Sequence, residues 1–131
     1  MIIEHIALNV ADPVALSDWY VRHLGMRIIR QVDIGPMTRF LADGAGRTVL
    51  EIYHQDAPVP DYQAMHHMVL HVAFKVADLQ AERKRLLAAG ATPATDVTTS
   101  DNGDQMTFLR DPWGVTIQLV RRGTPLIGNG Y

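Results

Sequence analysis

His5-Ile6-Ala7-Leu8-Asn9-Val10-Ala11-Asp12 returns in the middle of the chain as His71-Val72-Ala73-Phe74-Lys75-Val76-Ala77-Asp78. The offset is 66 (71 − 5), half of a 131-residue chain, and five of the eight positions are identical. A hydrophobic strand has no need of an imidazole. A histidine in the same place twice therefore points to two halves that bring equivalent polar groups to one place.

Each copy opens the same run of elements. Residues 2–10 alternate as a strand, with Ile6, Leu8 and Val10 on one face and His5, Ala7 and Asn9 on the other. Asp12-Pro13 is a helix start, an acceptor followed by a proline in the first turn. Leu16, Trp19, Tyr20 and Leu24 recur at helical spacing, and Gly25 suits the helix end. Strands are expected over 27–32, 37–42 and 48–53. In the second half the spacing predicts a strand over 69–76, a helix over 79–89 capped by Asp78, and strands over 92–97, 105–110 and 115–120. Asp111-Pro112-Trp113-Gly114 fits a type I turn before the last strand. Each half is thus strand, helix, strand, strand, strand, which predicts an α+β fold built by duplication.

One compact domain over residues 1–131 is expected: one module over 2–54, a connector over 54–68, a second module over 69–122 and a flexible tail over 123–131. A formal charge of −2 leaves no basic footprint, so no nucleic-acid partner is expected. With no cysteine, disulfides, thiolate metal sites and a thiol nucleophile drop out together. No basic, apolar leader and no membrane-length apolar run is visible, so no membrane partner and a cytoplasmic location are expected.

Strand parity selects the polar residues. Leu50 and Ile52 form an apolar pair, which turns Glu51 to the opposite face with Val49 and Tyr53. Val115, Ile117 and Leu119 likewise turn Gln118 away, with Thr116 and Val120. Glu51 and Gln118 are equivalent at an offset of 67 (118 − 51), so the halves differ by one residue in length. His5, Glu51, His71 and Gln118 are therefore expected in mid-strand on four strands that share one face. A carboxylate there is costly to desolvate alone. Two imidazoles, a carboxylate and an amide oxygen make a donor set for a divalent ion such as Zn, Ni, Co, Mn or Fe. His5, His71 and Glu51 alone match the two-histidine, one-carboxylate pattern of non-haem iron. Imidazole ligates only when neutral, so metal affinity is expected to fall as pH drops through about 6.5 or below.

Glu4-His5-Ile6-Ala7, Trp19-Tyr20 with Leu24-Gly25-Met26, Leu50-Glu51-Ile52-Tyr53, Leu70-His71-Val72-Ala73-Phe74 and Asp111-Pro112-Trp113-Gly114 leading to Ile117-Gln118-Leu119 carry a resemblance over nearly all of residues 3–121. By these the chain resembles the vicinal oxygen chelate superfamily, which includes glyoxalase I, methylmalonyl-CoA epimerase, fosfomycin- and bleomycin-resistance proteins and extradiol dioxygenases. The resemblance implies two βαβββ modules, with helices outside a mixed sheet that curves around a metal cleft. It implies a divalent metal ion at His5, Glu51, His71 and Gln118, a small-molecule substrate with vicinal oxygens, and a homodimer. The activity it implies is that of an isomerase or lyase working through a metal-stabilised enediolate. In glyoxalase I and the epimerase the last metal position is usually a glutamate that acts as base. Gln118 cannot take a proton at neutral pH. Exchanging the halves turns His–Glu–His–Gln into His–Gln–His–Glu, which makes Glu51 the catalytic candidate. Two other readings stand beside this one: an Fe(II) ring-cleaving dioxygenase, and a non-catalytic binding protein of the bleomycin-resistance kind.

Asn9 and Lys75 follow the histidines by four residues on the same strand face and are candidates for the rim of a substrate pocket. Arg39 and Phe108, with Met37 and Met106, are candidates for its wall. Trp19 and Tyr20 read as helix–sheet packing. His23, His54, His66 and His67 read as solvated, as does the 83–85 basic run.

Overall fold

The computed structural model describes residues 1–127 and divides into two compact units, Met1–Pro60 and Asp61 onward. The first holds β1 (Ile6–Asn9), α1 (Pro13–Leu24), β2 (Arg27–Gln31), β3 (Arg39–Ala42) and β4 (Val49–Tyr53). Its sheet runs β1-β4-β3-β2, with β1 parallel to β4 and the other pairs antiparallel. The helix forms where the local signals put it. Asp12 accepts from the Ala15 amide at 2.9 Å, Pro13 opens the first turn, and Gly25 closes the last at φ 66°. α1 packs on β2, β3 and β4 and buries Pro13, Leu16, Ser17 and Tyr20. Trp19 and Leu24, expected in that stripe, are half-buried. The Trp19 ring instead lies 5.9 Å from Tyr20 and 5.2 Å from His23. Leu8, Val10, Leu41, Leu50 and Ile52 complete this core from the sheet side. Burial of each such side chain contributes roughly 1.5–3 kcal/mol.

The second unit holds β5 (Val72–Lys75), α2 (Leu79–Ala88), β6 (Thr92–Pro93), β7 (Thr98–Thr99), β8 (Gln105–Arg110) and β9 (Thr116–Arg121). Its sheet runs β5-β9-β8-β6, β7 also pairs with β8, and β5 is parallel to β9. Asp78 caps α2 by accepting from Ala81 at 3.0 Å. The single strand expected over 92–97 is two short ones. The amides of Ala94 and Thr95 both donate to the Phe108 carbonyl, and the Thr95 hydroxyl accepts from the Phe108 amide at 3.0 Å. A side chain thus takes a backbone place in the ladder and interrupts it. The 111–114 turn forms as expected. Gly114 N–H donates to the Asp111 carbonyl at 3.0 Å, and the Asp111 carboxylate accepts from Trp113 and Val115.

The two sheets repeat one register. Ala7 pairs with Glu51, and Ala73 pairs with Gln118. The one-residue difference between the halves is a net of three changes rather than a single turn. Equivalent cross-strand rows give offsets of 65 (92 − 27), 68 (110 − 42) and 67 (116 − 49). The histidines are displaced from the mid-strand positions expected of them. Ladder pairing starts at Ile6 opposite Leu50 and at Val72 opposite Ile117, one residue past each imidazole.

The connector is less loose than its prolines imply. Arg110 donates to the carbonyls of Tyr62 at 2.8 Å and Met65 at 2.7 Å, strapping residues 62–65 to the end of β8. The tail expected to be flexible from 123 is anchored at its first residue. Gly123 N–H donates to Asp104 Oδ1 at 2.8 Å and Arg122 pairs with Oδ2 at 2.6 Å. Residues 128–131 of that tail lie outside the described residues. The Arg122 hydrogen bond, then the Gly123 amide, hold the buried Asp104 carboxyl below its ordinary 3.8 against the opposing effect of burial. A depressed carboxyl stabilises the fold above its unfolded pKa and loses that contribution as pH falls through the folded value. Asp104→Asn should therefore be less stable than the parent near neutrality, with the difference in urea midpoint closing as pH falls below 3.8. A difference independent of pH would refute the ion pair's role. Among the described residues no helix is long and apolar enough to cross a membrane.

Candidate metal-binding site

In the first module β4 carries Glu51 between Ala7 on β1 and Phe40 on β3. The His5 Nε2 lies 3.1 Å from Glu51 Oε2, and the two side chains are 34% and 19% exposed. His5 Nδ1 meets the Glu4 carboxylate. The His5 ring stands edge-on to Phe40, 5.9 Å away at 84°. These neighbours hold the His5 pKa above 6.5. The Glu4 hydrogen bond is the largest cause, burial opposes it, and the charges of Glu4 and Glu51 add to it.

The second module repeats the cross-strand register, with Gln118 at the position of Glu51. The half-buried His71 stands edge-on to Phe108, 5.2 Å away at 82°. Phe108 pairs across the sheet with Gln118, as Phe40 pairs with Glu51. His71 Nδ1 donates to the His67 carbonyl at 3.2 Å. A carbonyl only accepts, so the proton is on Nδ1 and the lone pair is on Nε2. Gln118 is 8% exposed, and its amide nitrogen has only a weak contact, 3.7 Å, with Met106 sulfur.

The donor chemistry of His5 and Glu51 fits a divalent ion. Two donors about 2.1 Å from one ion and at right angles are about 3.0 Å apart. The His5–Glu51 separation of 3.1 Å is of that size, and without an ion the same pair satisfies itself as a charge-assisted contact. Among the described residues no three His, Asp or Glu side chains form a metal-ligand cluster.

The candidate pocket residues divide sharply. The Asn9 amide donates to Ala57 O at 2.9 Å and accepts from Gln55 N at 2.8 Å, so it fastens the chain leaving β4. Arg39 is buried; its guanidinium donates to the carbonyls of Val32, Met37 and Thr38 and pairs with Asp33 at 2.7 Å. It organises the β2–β3 loop, where Met37 adopts φ 53°. Lys75 is exposed at the end of β5. Phe108 is 7% exposed and lies between two imidazoles, His71 and His67, the latter 4.6 Å away. His67, expected to be solvated, is half-buried and stacked on His66 at 4.2 Å. Burial, then the charges of His66, Arg110 and His71, push its pKa below 6.5.

The sequence signal for Phe40 is faint: Phe40-Leu41 and Phe108-Leu109 repeat at an offset of 68 (108 − 40). The shift of two from the histidine offset hides the match.

The profile of the Glyoxalase/Bleomycin resistance protein/Dioxygenase superfamily matches residues 2–119. The chain belongs to this superfamily. Among solved structures of the superfamily, a glyoxalase family protein from Enterococcus faecalis is 26% identical, with a TM-score of 0.68 over 92% of this chain and 97% of that one. A glyoxalase family protein from Bacillus cereus superposes at a TM-score of 0.75 with 16% identity, over 92% of this chain and 93% of that one. A glyoxalase-related enzyme from Fulvimarina pelagi gives 0.71 at 17% identity, over 100% of this chain and 96% of that one. The last two likenesses show the fold alone. No curated protein sequence matches the chain.

Proposed function

We propose that this superfamily member is a divalent-metal-dependent isomerase or lyase acting on a small substrate with adjacent oxygens, such as an α-hydroxy or α-keto carbonyl compound. The reading rests on one observation. The register that puts Glu51 opposite Ala7, beside His5, recurs with Gln118 opposite Ala73, in the module of His71. His5, Glu51, His71 and Gln118 are the residues that would hold the ion. When bound, a divalent ion supplies Lewis-acid polarisation of the substrate oxygens. Glu51 takes a proton from the carbon beside the carbonyl and returns it to the neighbouring carbon.

The test has two parts. Elemental analysis of protein purified without an affinity-tag metal column should find a stoichiometric divalent metal, absent in His5→Ala. In D2O, a panel of α-hydroxy carbonyl compounds should acquire deuterium at the carbon beside the carbonyl. Metal without exchange, but with oxygen uptake on a catechol, would move the assignment to ring-cleaving dioxygenase chemistry. Ligand binding without metal would move it to a binding protein.

The pH window follows from the neighbours of His5. An ion must displace a proton that Glu4 and Glu51 stabilise, so zinc affinity should begin to weaken above pH 6.5 as pH falls. That is higher than sequence alone implies. Below that onset it should drop about tenfold per unit for each proton displaced. For folding the sign is opposite: the protonated His5 contributes below 6.5, and its contribution is lost as pH rises through the raised value. Calorimetric zinc titrations across pH check the window.

A further inference from the structure

Both imidazoles use the same nitrogen for support, but the supports are chemically different. His5 Nδ1 meets a carboxylate, that of Glu4, whose side chain is 77% exposed. His71 Nδ1 meets a backbone carbonyl, that of His67. Each ring is also held edge-on by the register-equivalent phenylalanine, Phe40 or Phe108. In both modules Nδ1 is the supported nitrogen, and in the first Nε2 faces Glu51 at 3.1 Å.

We propose that Glu4 is a positioning residue: it keeps the proton of His5 on Nδ1 and so presents Nε2, with Glu51, to the ion. The proposal rests on the metal-binding reading above and adds a residue to it. The physical reason is competition for one proton. A neutral imidazole carries a single N–H, and His5 has a carboxylate at each nitrogen. With Glu4 present, the Nδ1 proton has an anionic acceptor, and Nε2 keeps a free lone pair for an incoming cation, any proton it carries being released to solvent as the ion binds. With Glu4 removed, Glu51 is the remaining anionic acceptor. The proton then stays on Nε2, where it blocks the ion. A carboxylate on the far nitrogen also strengthens the imidazole as a donor, an effect the His67 carbonyl supplies to His71 more weakly. The two modules therefore hold equivalent histidines by inequivalent means, and only the first can be altered through a side chain.

The experiment reads the nitrogens directly, in protein without added metal. Histidine 15N spectra at about pH 8, well above the ordinary histidine pKa, should show Nδ1 protonated in both His5 and His71. Glu4→Ala should transfer the His5 proton to Nε2 and leave His71 unchanged, which serves as an internal control for folding. Glu4→Gln keeps an oxygen acceptor and should hold the proton on Nδ1. Zinc affinity should fall about 10–100-fold in Glu4→Ala and less in Glu4→Gln. An unprotonated His5 Nδ1 in the parent protein, a spectrum unaffected by Glu4→Ala, or equal zinc affinities would overturn the proposal. A parent protein that takes up no zinc would remove the metal-binding reading, and the nitrogen spectra would then decide the role of Glu4 alone.

Discussion

Glu51→Gln is expected to lower the rate of solvent-deuterium exchange into substrate by about 10²–10⁴-fold and to leave the urea midpoint nearly unchanged. The substitution keeps the volume of a side chain packed between Ala7 and Phe40. It also keeps an oxygen within reach of His5. What it removes is the ability to take a proton, since a carboxamide does not do so at neutral pH. The second module already contains the corresponding experiment, because Gln118 occupies the register position of Glu51 and offers no base. A variant that exchanges deuterium at the parent rate would eliminate Glu51 as the proton carrier. A variant that loses its metal as well as its activity would show ligation and proton transfer to be inseparable at this position.

The second large effect is on stability. Gly114 closes the 111–114 turn at φ +90°, and a Cβ there would stand 2.7 Å from the Gln63 amide nitrogen and 2.9 Å from its Cα. Both are backbone atoms of a segment that Arg110 straps to the same strand end. Gly114→Ala therefore combines the strain of a left-handed backbone with displacement of the connector, about 2–4 kcal/mol in all. Gly44→Ala is the control. Its Cβ would meet only the Gly25 carbonyl oxygen, at 3.9 Å, and a change within about 0.5 kcal/mol is expected. Because the connector carries His66 and His67, displacement of Gln63 should also disturb the ring contact of His67 on Phe108. Urea denaturation and the histidine spectra report the two effects independently. Equal midpoints for the two variants would refute the close approach at Gln63.

The parts of the fold that could be read from sequence share a physical character: they are local or periodic. The caps at Asp12 and Asp78 act on amides three residues away. The 111–114 turn is held by its own carboxylate. Alternation buried Leu50 and Ile52 against one face and left Glu51 on the other, half-buried. It performed the same sorting for Ile117 and Leu119. There the opposite face, Thr116, Gln118 and Val120, is buried too, so period two says which way a residue turns without saying what covers it.

Asn9 and Arg39 show where that reading stops. Parity placed Asn9 on the histidine face, and its amide is nonetheless bonded to residues 46 and 48 positions away. Arg39 reads as a candidate for the pocket wall, and it is buried with its guanidinium on loop carbonyls. Glu4 and His67 carried no sequence signal of a role, because each acts through a contact whose partner is chosen by how strands and connector pack.

By itself, then, the sequence determined the doubling, the order of strands and helices, and the face on which Glu51 and Gln118 stand, since repetition and periodicity are written in one dimension. The tertiary structure alone decided that both histidines stand just outside their ladders with Nδ1 held. It also decided that two of the expected pocket residues are bonded to the backbone instead. Those outcomes depend on which acceptor lies within about 3 Å of a donor, a distance that arises only when the strands and the connector have packed.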